Sequence, residues 1–75
     1  SEQARDIEEI KAEMIECGGK LSEMGLRNQA IDIMNRSLGT DYNGEQRTID
    51  MAVQENAEAL EIGIMQMKEL IEKNQ

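Results

Sequence analysis

The chain has 75 residues, and its 16 acidic and 8 basic side chains give a formal net charge of −8. A chain this short forms one domain that buries only about 60% of its unfolded surface, so it is marginally stable alone and oligomerisation is expected. The charge disfavours nucleic acid and anionic membranes as direct partners, because the field of the protein repels phosphates. Without proline, and with Tyr42 as its only aromatic residue, the chain is predicted to be all-α with an aliphatic and methionine core.

The first helix is predicted over about residues 2–24, with Ser1 as its N-cap. One apolar face recurs every three or four positions, at Ile7, Ile10, Met14, Cys17, Leu21 and Met24. Gly18 and Gly19 lie inside this stretch, and two adjacent glycines cost a helix about 2 kcal/mol relative to alanine. We expect a close approach of the next helix at Gly18, opposite Ala30, to offset that cost. The alternative is a kink or break at the glycine pair.

Gly25 is predicted to form the turn into a second helix, over about residues 26–38. A helix end commonly has glycine at positive φ, followed by an apolar residue that folds back, as Leu26 does here. The second helix has an apolar face at Ala30, Ile31, Met34 and Leu38, while Asp32 and Arg36 are spaced to pair on the exposed side. The two segments therefore predict a helical hairpin.

Over about residues 11–44 this hairpin resembles a single tetratricopeptide repeat. The family's small, turn and apolar positions are matched by Met14, Gly18, Leu21, Gly25, Ala30, Ile31, Met34, Ser37 and Leu38, and Asp41 stands where the family often has an acidic residue. Arg27 and Tyr42 stand where the family commonly has an aromatic residue and a proline. The resemblance implies a protein-binding module without an activity of its own. Because one repeat cannot bury its own apolar face, the third helix or another copy of the chain is expected to cover it.

A long third helix is predicted over about residues 45–73, after a connector at 39–44 with Asn43 as the N-cap. Its heptad seam contains Ile49, Val53, Asn56, Leu60, Gly63, Met67 and Leu70. Asn56 in a buried seam would fix register or oligomeric state, and the alternative is that Asn56 faces solvent. Gly63 is a candidate for a second close helix crossing.

The predicted lengths of the helices favour an intermolecular contact. At 1.5 Å per residue the third helix would span about 45 Å, against about 18 Å for the second, so part of it would overhang. Residues 62–67 are apolar on nearly all sides, which is typical of a buried helix. We therefore predict a partner or oligomer interface made of Asn56, Ile62, Ile64, Met65, Met67, Leu70 and Ile71.

No catalytic, cofactor or metal site is predicted, and the chain is not expected to be an enzyme. It has no histidine, and its glycines follow no strand as a phosphate-binding loop requires. The lone Cys17 lies beside Glu16, which raises a thiol pKa, so a buried and inert side chain is expected. No segment has 18 consecutive apolar residues and no basic-then-apolar stretch opens the chain, so a cytoplasmic protein is expected.

Three functional hypotheses follow. The first is a small acidic interaction protein, an adaptor or regulator that self-associates or docks a partner through its last helix. The second is an acidic phage-type inhibitor that mimics nucleic acid and presents Glu55, Glu58 and Glu61 to a basic groove. The third rests on residues 42–44, Tyr-Asn-Gly, which are similar to the WxG turn of small secreted helical hairpin proteins. We favour the first.

Overall fold

The computed structural model describes residues 5–38 and 56–75, and these form three α-helices without a strand. Helix α1 spans Ile7–Glu23, α2 spans Arg27–Leu38 and α3 spans Ala57–Lys73. Each helix packs against both of the others. The predicted all-α fold, a hairpin followed by a third helix, is confirmed for this part of the chain. The connector at 39–44, with Asn43, and the seam residues Ile49 and Val53 lie outside the described residues.

Helix α1 begins later than the sequence predicted. Asp6 is extended, with φ −58° and ψ 133°, and its carboxylate accepts a 2.8 Å hydrogen bond from the N–H of Glu8. An aspartate at this position satisfies one of the free N–H groups of the first turn, and its negative charge interacts favourably with the positive end of the helix dipole. The predicted start near residue 2 is therefore wrong. The helix then continues through Gly18 and Gly19, so the alternative of a break at the glycine pair does not occur.

The turn between α1 and α2 is a Schellman motif centred on Gly25. Gly25 has φ +79°, its N–H donates to the carbonyl of Ser22, and the N–H of Leu26 donates to the carbonyl of Leu21 at 2.8 Å. These two bonds satisfy carbonyl groups that the end of α1 would otherwise leave unpaired. The predicted cap is confirmed. The predicted pair between Asp32 and Arg36 also forms, at 2.6 Å.

Helix α3 is shorter than predicted because Asn56 ends its N-terminal side. Asn56 has φ −152° and ψ 69°, and its side-chain oxygen accepts a hydrogen bond from the N–H of Ala59 at 3.1 Å. The predicted continuous helix over 45–73 is therefore wrong, and residues 45–55 lie outside the described residues. The 17 residues of α3 span about 26 Å. The sequence predicted an overhang because it predicted a helix of about 45 Å. The shorter α3 removes the basis for that overhang.

Ion pairs fix the relative direction of α1 and α3. Arg5, just before α1, pairs with Glu61 near the start of α3, and Glu13 pairs with Lys68 about two turns further along. The two helices are therefore parallel and in direct contact, and α2 packs against both of them. The buried core is contributed by all three helices: Ile10, Met14, Cys17, Leu21, Ala30, Ile33, Met34, Leu60, Ile64 and Met67.

Two glycines of the helices lie in tight contacts with side chains of α2. A Cβ atom on Gly63 would lie 2.9 Å from the Cβ of Ser37, so α3 crosses α2 at a distance that requires glycine. A Cβ on Gly18 would lie 3.2 Å from the terminal methyl carbon of Met34. The close approach predicted at Gly63 is confirmed. At Gly18 only the end of the Met34 side chain lies within 4 Å of the added Cβ, so the predicted close contact with Ala30 is wrong.

Candidate functional site: the outer face of helix α3

Helix α3 has two apolar faces, and only one of them belongs to the core. Leu60, Ile64 and Met67 recur at three- and four-residue spacing and are buried against α1 and α2. Ile62 and Met65 lie on the other side of the helix and are 52% and 57% exposed. A helix that is apolar on two faces leaves one of them in contact with solvent in this structure.

The predicted interface divides along this line. Ile64 and Met67 are core residues, 3% and 0% exposed, and so are not available to a partner. Leu70 and Ile71 are half-buried and pack at the edge of the core. The prediction that these residues form one intermolecular surface is therefore wrong for Ile64 and Met67. The prediction assumed a longer third helix that extended beyond the other two. The observed α3 is shorter, and α1 and α2 cover its inner face.

Asn56 is likewise not an interface residue in a helical seam. It precedes α3, is exposed, and uses its side chain to cap the helix. The predicted seam position required a helix that ran through residue 56. The alternative, an Asn56 that faces solvent, agrees with the structure.

We define the outer patch as Ile62 and Met65 together with Glu58 and Glu69. The two apolar residues are one turn apart, and each has a glutamate four positions away on the side remote from the other. At 100° per residue the four positions fall within an arc about 60° wide, centred opposite the buried face. The two glutamates are exposed, and neither forms an ion pair with a described residue. The outer patch is thus an apolar centre with an acidic residue at each end.

A network of ion pairs, which the sequence analysis did not predict, joins one edge of α3 to the N-terminal half of α1. The carboxylate of Glu13 accepts hydrogen bonds from Lys68 and from Arg5, the latter at 2.6 Å, and Arg5 also lies 3.5 Å from Glu61. The hydrogen bond from Lys68, followed by that from Arg5, holds the pKa of Glu13 below its ordinary value. Glu13 in turn raises the pKa of Lys68. The network joins α1 to α3 and leaves the outer patch outside it.

The predicted acidic face is only partly available. Glu61 is engaged by Arg5, while Glu58 is exposed and Glu55 lies outside the described residues. Glu69, which the sequence analysis did not single out, is the second free carboxylate beside the apolar residues. The signal that identifies it is its position four residues after Met65, on the same side of the helix.

A further exposed apolar residue, Ile15, lies on α1 and is 41% exposed. It is about 160° around the helix from Glu13, which faces α3. Ile15 is therefore not continuous with the outer patch, and it serves as a natural control for it.

The other candidate features are the thiol of Cys17, clusters of acidic side chains and the hydropathy of the helices. Cys17 is buried, and its burial, followed by the nearby charge of Glu13, raises the pKa of its thiol, as predicted for an inert side chain. Within residues 5–38 and 56–75, no group of three or more acidic or cysteine side chains is arranged to hold a metal ion. The helices of this part of the chain are all too short or too polar to cross a membrane.

Comparison with known proteins gives no relative. No protein-family model matches the chain, no curated protein matches it, and no solved structure matches its fold.

Proposed function

We propose that the chain is a non-enzymatic protein-interaction module, which docks a partner protein or a second copy of itself on the outer patch of α3. The observation that carries this proposal is the exposure of Ile62 and Met65, side by side on the face of α3 that is opposite the core. The likeness of the α1–α2 hairpin to a tetratricopeptide repeat supports the same class of function.

The fold does not require apolar side chains at these two positions. The inner face of α3 supplies Leu60, Ile64 and Met67 to the core, so polar residues at 62 and 65 would leave the packing unchanged. Isoleucine is also a weaker helix former than glutamate or lysine, so its presence on an exposed face gives the isolated helix no advantage. Binding to another protein is the simplest benefit that such a pair provides.

The chemistry of the pair suits a docking surface. Methionine is flexible and polarisable and adapts its shape to a partner, which is why it is enriched at protein interfaces. Isoleucine adds a stiff, branched anchor beside it. Because both are presented by a packed helix, little backbone ordering is needed on binding, and more of the contact energy appears as affinity.

The experiment that tests this proposal is site-specific photo-crosslinking in the cells that express the chain. A photoreactive amino acid is placed at Met65 and, as the matched control, at Ile15. We expect discrete crosslinked species from position 65 that disappear when Ile62 is changed to serine, and none that depends on Ile62 from position 15. Equal, diffuse crosslinking from both positions would contradict a docking role for the outer patch.

A further inference from the structure

The charges around the outer patch indicate what kind of partner it takes. We infer that the occupant is a basic amphipathic helix of another protein, with lysine or arginine on both sides of an apolar centre, and not a second copy of this chain. This inference rests on the proposed function and specifies the partner of the same surface.

The geometry disfavours a second copy. The centre of the patch lies between residues 63 and 64, and Glu58 and Glu69 are equally far from it, about 8 Å along the axis on either side. In an antiparallel pairing centred on Ile62 and Met65, Glu58 of each copy would face Glu69 of the other. In a parallel pairing each glutamate would face its own counterpart. Both aligned pairings of two such patches therefore bring like charges together at both ends.

The same two glutamates favour a basic helix in either direction. A helix laid along α3 meets Ile62 and Met65 with apolar residues three or four positions apart, and basic residues one turn beyond each end meet Glu58 and Glu69. The surrounding protein adds to this preference, because its net charge of −8 attracts a basic segment and repels an acidic one. Arg5 and Lys68 are held by Glu13, and Arg36 by Asp32. Lys73 lies one turn beyond Glu69 on the same side of α3, but it forms no ion pair with Glu69 in this structure.

The test is a selection from a phage-displayed library of randomised 18-residue peptides. Peptides are selected on the wild-type chain after subtraction on the Ile62→Ser/Met65→Ser variant, so that only binders that need the outer patch are kept. We expect these peptides to be enriched in lysine and arginine at positions that flank an apolar pair at helical spacing. Selected peptides that need the patch but are neutral or acidic would overturn the inference and leave the proposed function standing.

A charge-reversal variant sharpens the test. The affinity of a selected synthetic peptide is measured by fluorescence anisotropy for the wild type, for Glu58→Lys/Glu69→Lys, and for Glu16→Lys/Glu23→Lys. The last variant changes the net charge equally, but at exposed positions on α1. We expect about tenfold weaker binding with the charges reversed at the patch, and a much smaller loss in the control. Equal losses in both variants would show a nonspecific charge effect and overturn the inference.

Sedimentation equilibrium tests whether the outer patch binds a second copy of the chain or a helix of another protein. We expect the wild-type chain to show no association that the Ile62→Ser/Met65→Ser variant abolishes. Self-association that does depend on these residues would overturn the basic-partner inference while supporting the proposed function. A monomeric chain that also yields no patch-dependent peptide would overturn both.

Discussion

Three helical glycines provide a test of the packing, because the same substitution has a different consequence at each. Glycine-to-alanine in a helix interior stabilises by about 1 kcal/mol when nothing obstructs the new methyl group. Gly19 is exposed and a Cβ there would have no neighbour within 4 Å, so the Gly19→Ala variant is expected to gain about this amount. At Gly18 the new Cβ would lie 3.2 Å from the flexible end of Met34, which has only to shift slightly, so a smaller gain or none is expected.

At Gly63 the same substitution is expected to give no gain in stability or a loss. The new Cβ would lie 2.9 Å from the Cβ of Ser37 and closer still to its hydroxyl oxygen. Moving the hydroxyl breaks its 2.9 Å hydrogen bond to the carbonyl of Ile33, and the Cβ of Ser37 moves only with the backbone of α2. Overpacking of this kind costs about 1–3 kcal/mol, which offsets or exceeds the helix-propensity gain. The Gly63→Ala variant should therefore be about 1–3 kcal/mol less stable than Gly19→Ala.

The assay is urea unfolding followed by circular dichroism, with thermal unfolding as a second probe. In a domain of this size, each 1 kcal/mol corresponds to about 4–8 °C in Tm. The Ser37→Ala substitution removes the obstructing hydroxyl, so the cost of Gly63→Ala should be smaller in that background. If Gly63→Ala stabilises the chain as much as Gly19→Ala does, then α2 and α3 do not cross as closely as described and the account of the core is wrong.

Three further predictions concern the turn, the charge network and the thiol. Gly25→Ala places a Cβ at φ +79° and should destabilise the chain by about 1–2 kcal/mol in urea unfolding, and an unchanged midpoint would contradict the Schellman turn. Lys68 and Arg5 lower the pKa of Glu13 from its ordinary value of 4.5. The ionised carboxylate therefore stabilises the fold above that pH, and this contribution disappears as the pH falls through the lowered pKa. Wild type should accordingly lose more stability than Glu13→Gln on acidification below that value, and parallel pH profiles would argue against the network. Cys17 is buried with a raised thiol pKa, so it should react with a thiol reagent only as fast as the chain opens, and immediate reaction in the native state would place it outside the core.

The interior of the fold was largely predictable, because helical periodicity is a property of the local sequence. The predicted stripe of α1 contains all four of its buried residues, and Gly25 and Gly63 were each assigned the role that the structure gives them. The buried face of helix α2 was predicted less accurately. Its buried face includes Ile33, which the sequence analysis left out, while Ile31 is only half-buried. A short helix with several apolar residues fits two adjacent faces, and only the packing of its neighbours decides between them.

The ends of the helices were not predictable in the same way. By residue type, Ser1 and Asp6 are both good N-caps, and Asn43 and Asn56 both precede stretches with helical spacing of apolar residues in the sequence. Propensity does not distinguish between such candidates, since the outcome depends on where tertiary contacts begin. The error at Asn56 then affected the site, because a helix of the wrong length implied an overhang. That overhang placed Ile64 and Met67 on a surface, when α1 and α2 bury them.

The charge network was missed for a related reason. Glu13 and Lys68 lie on two helices that are remote in sequence, and Arg5 lies just before the first of them. Their pairing depends on α1 and α3 being parallel. Spacing within one helix predicted the pair of Asp32 with Arg36, which forms. Pairs between helices require the register of the bundle, which a single sequence does not give.

The central claim is that the outer patch of α3 is covered by another protein while the inner face belongs to the core. Hydroxyl-radical footprinting tests it most directly, because methionine oxidation reports the exposure of Met65 and Met67 in the same digest. In the purified dilute chain we predict fast oxidation of Met65 and slow oxidation of Met67. In intact cells that express the chain, Met65 should become protected while Met67 remains slow. Equal oxidation of Met65 in both settings would contradict the claim.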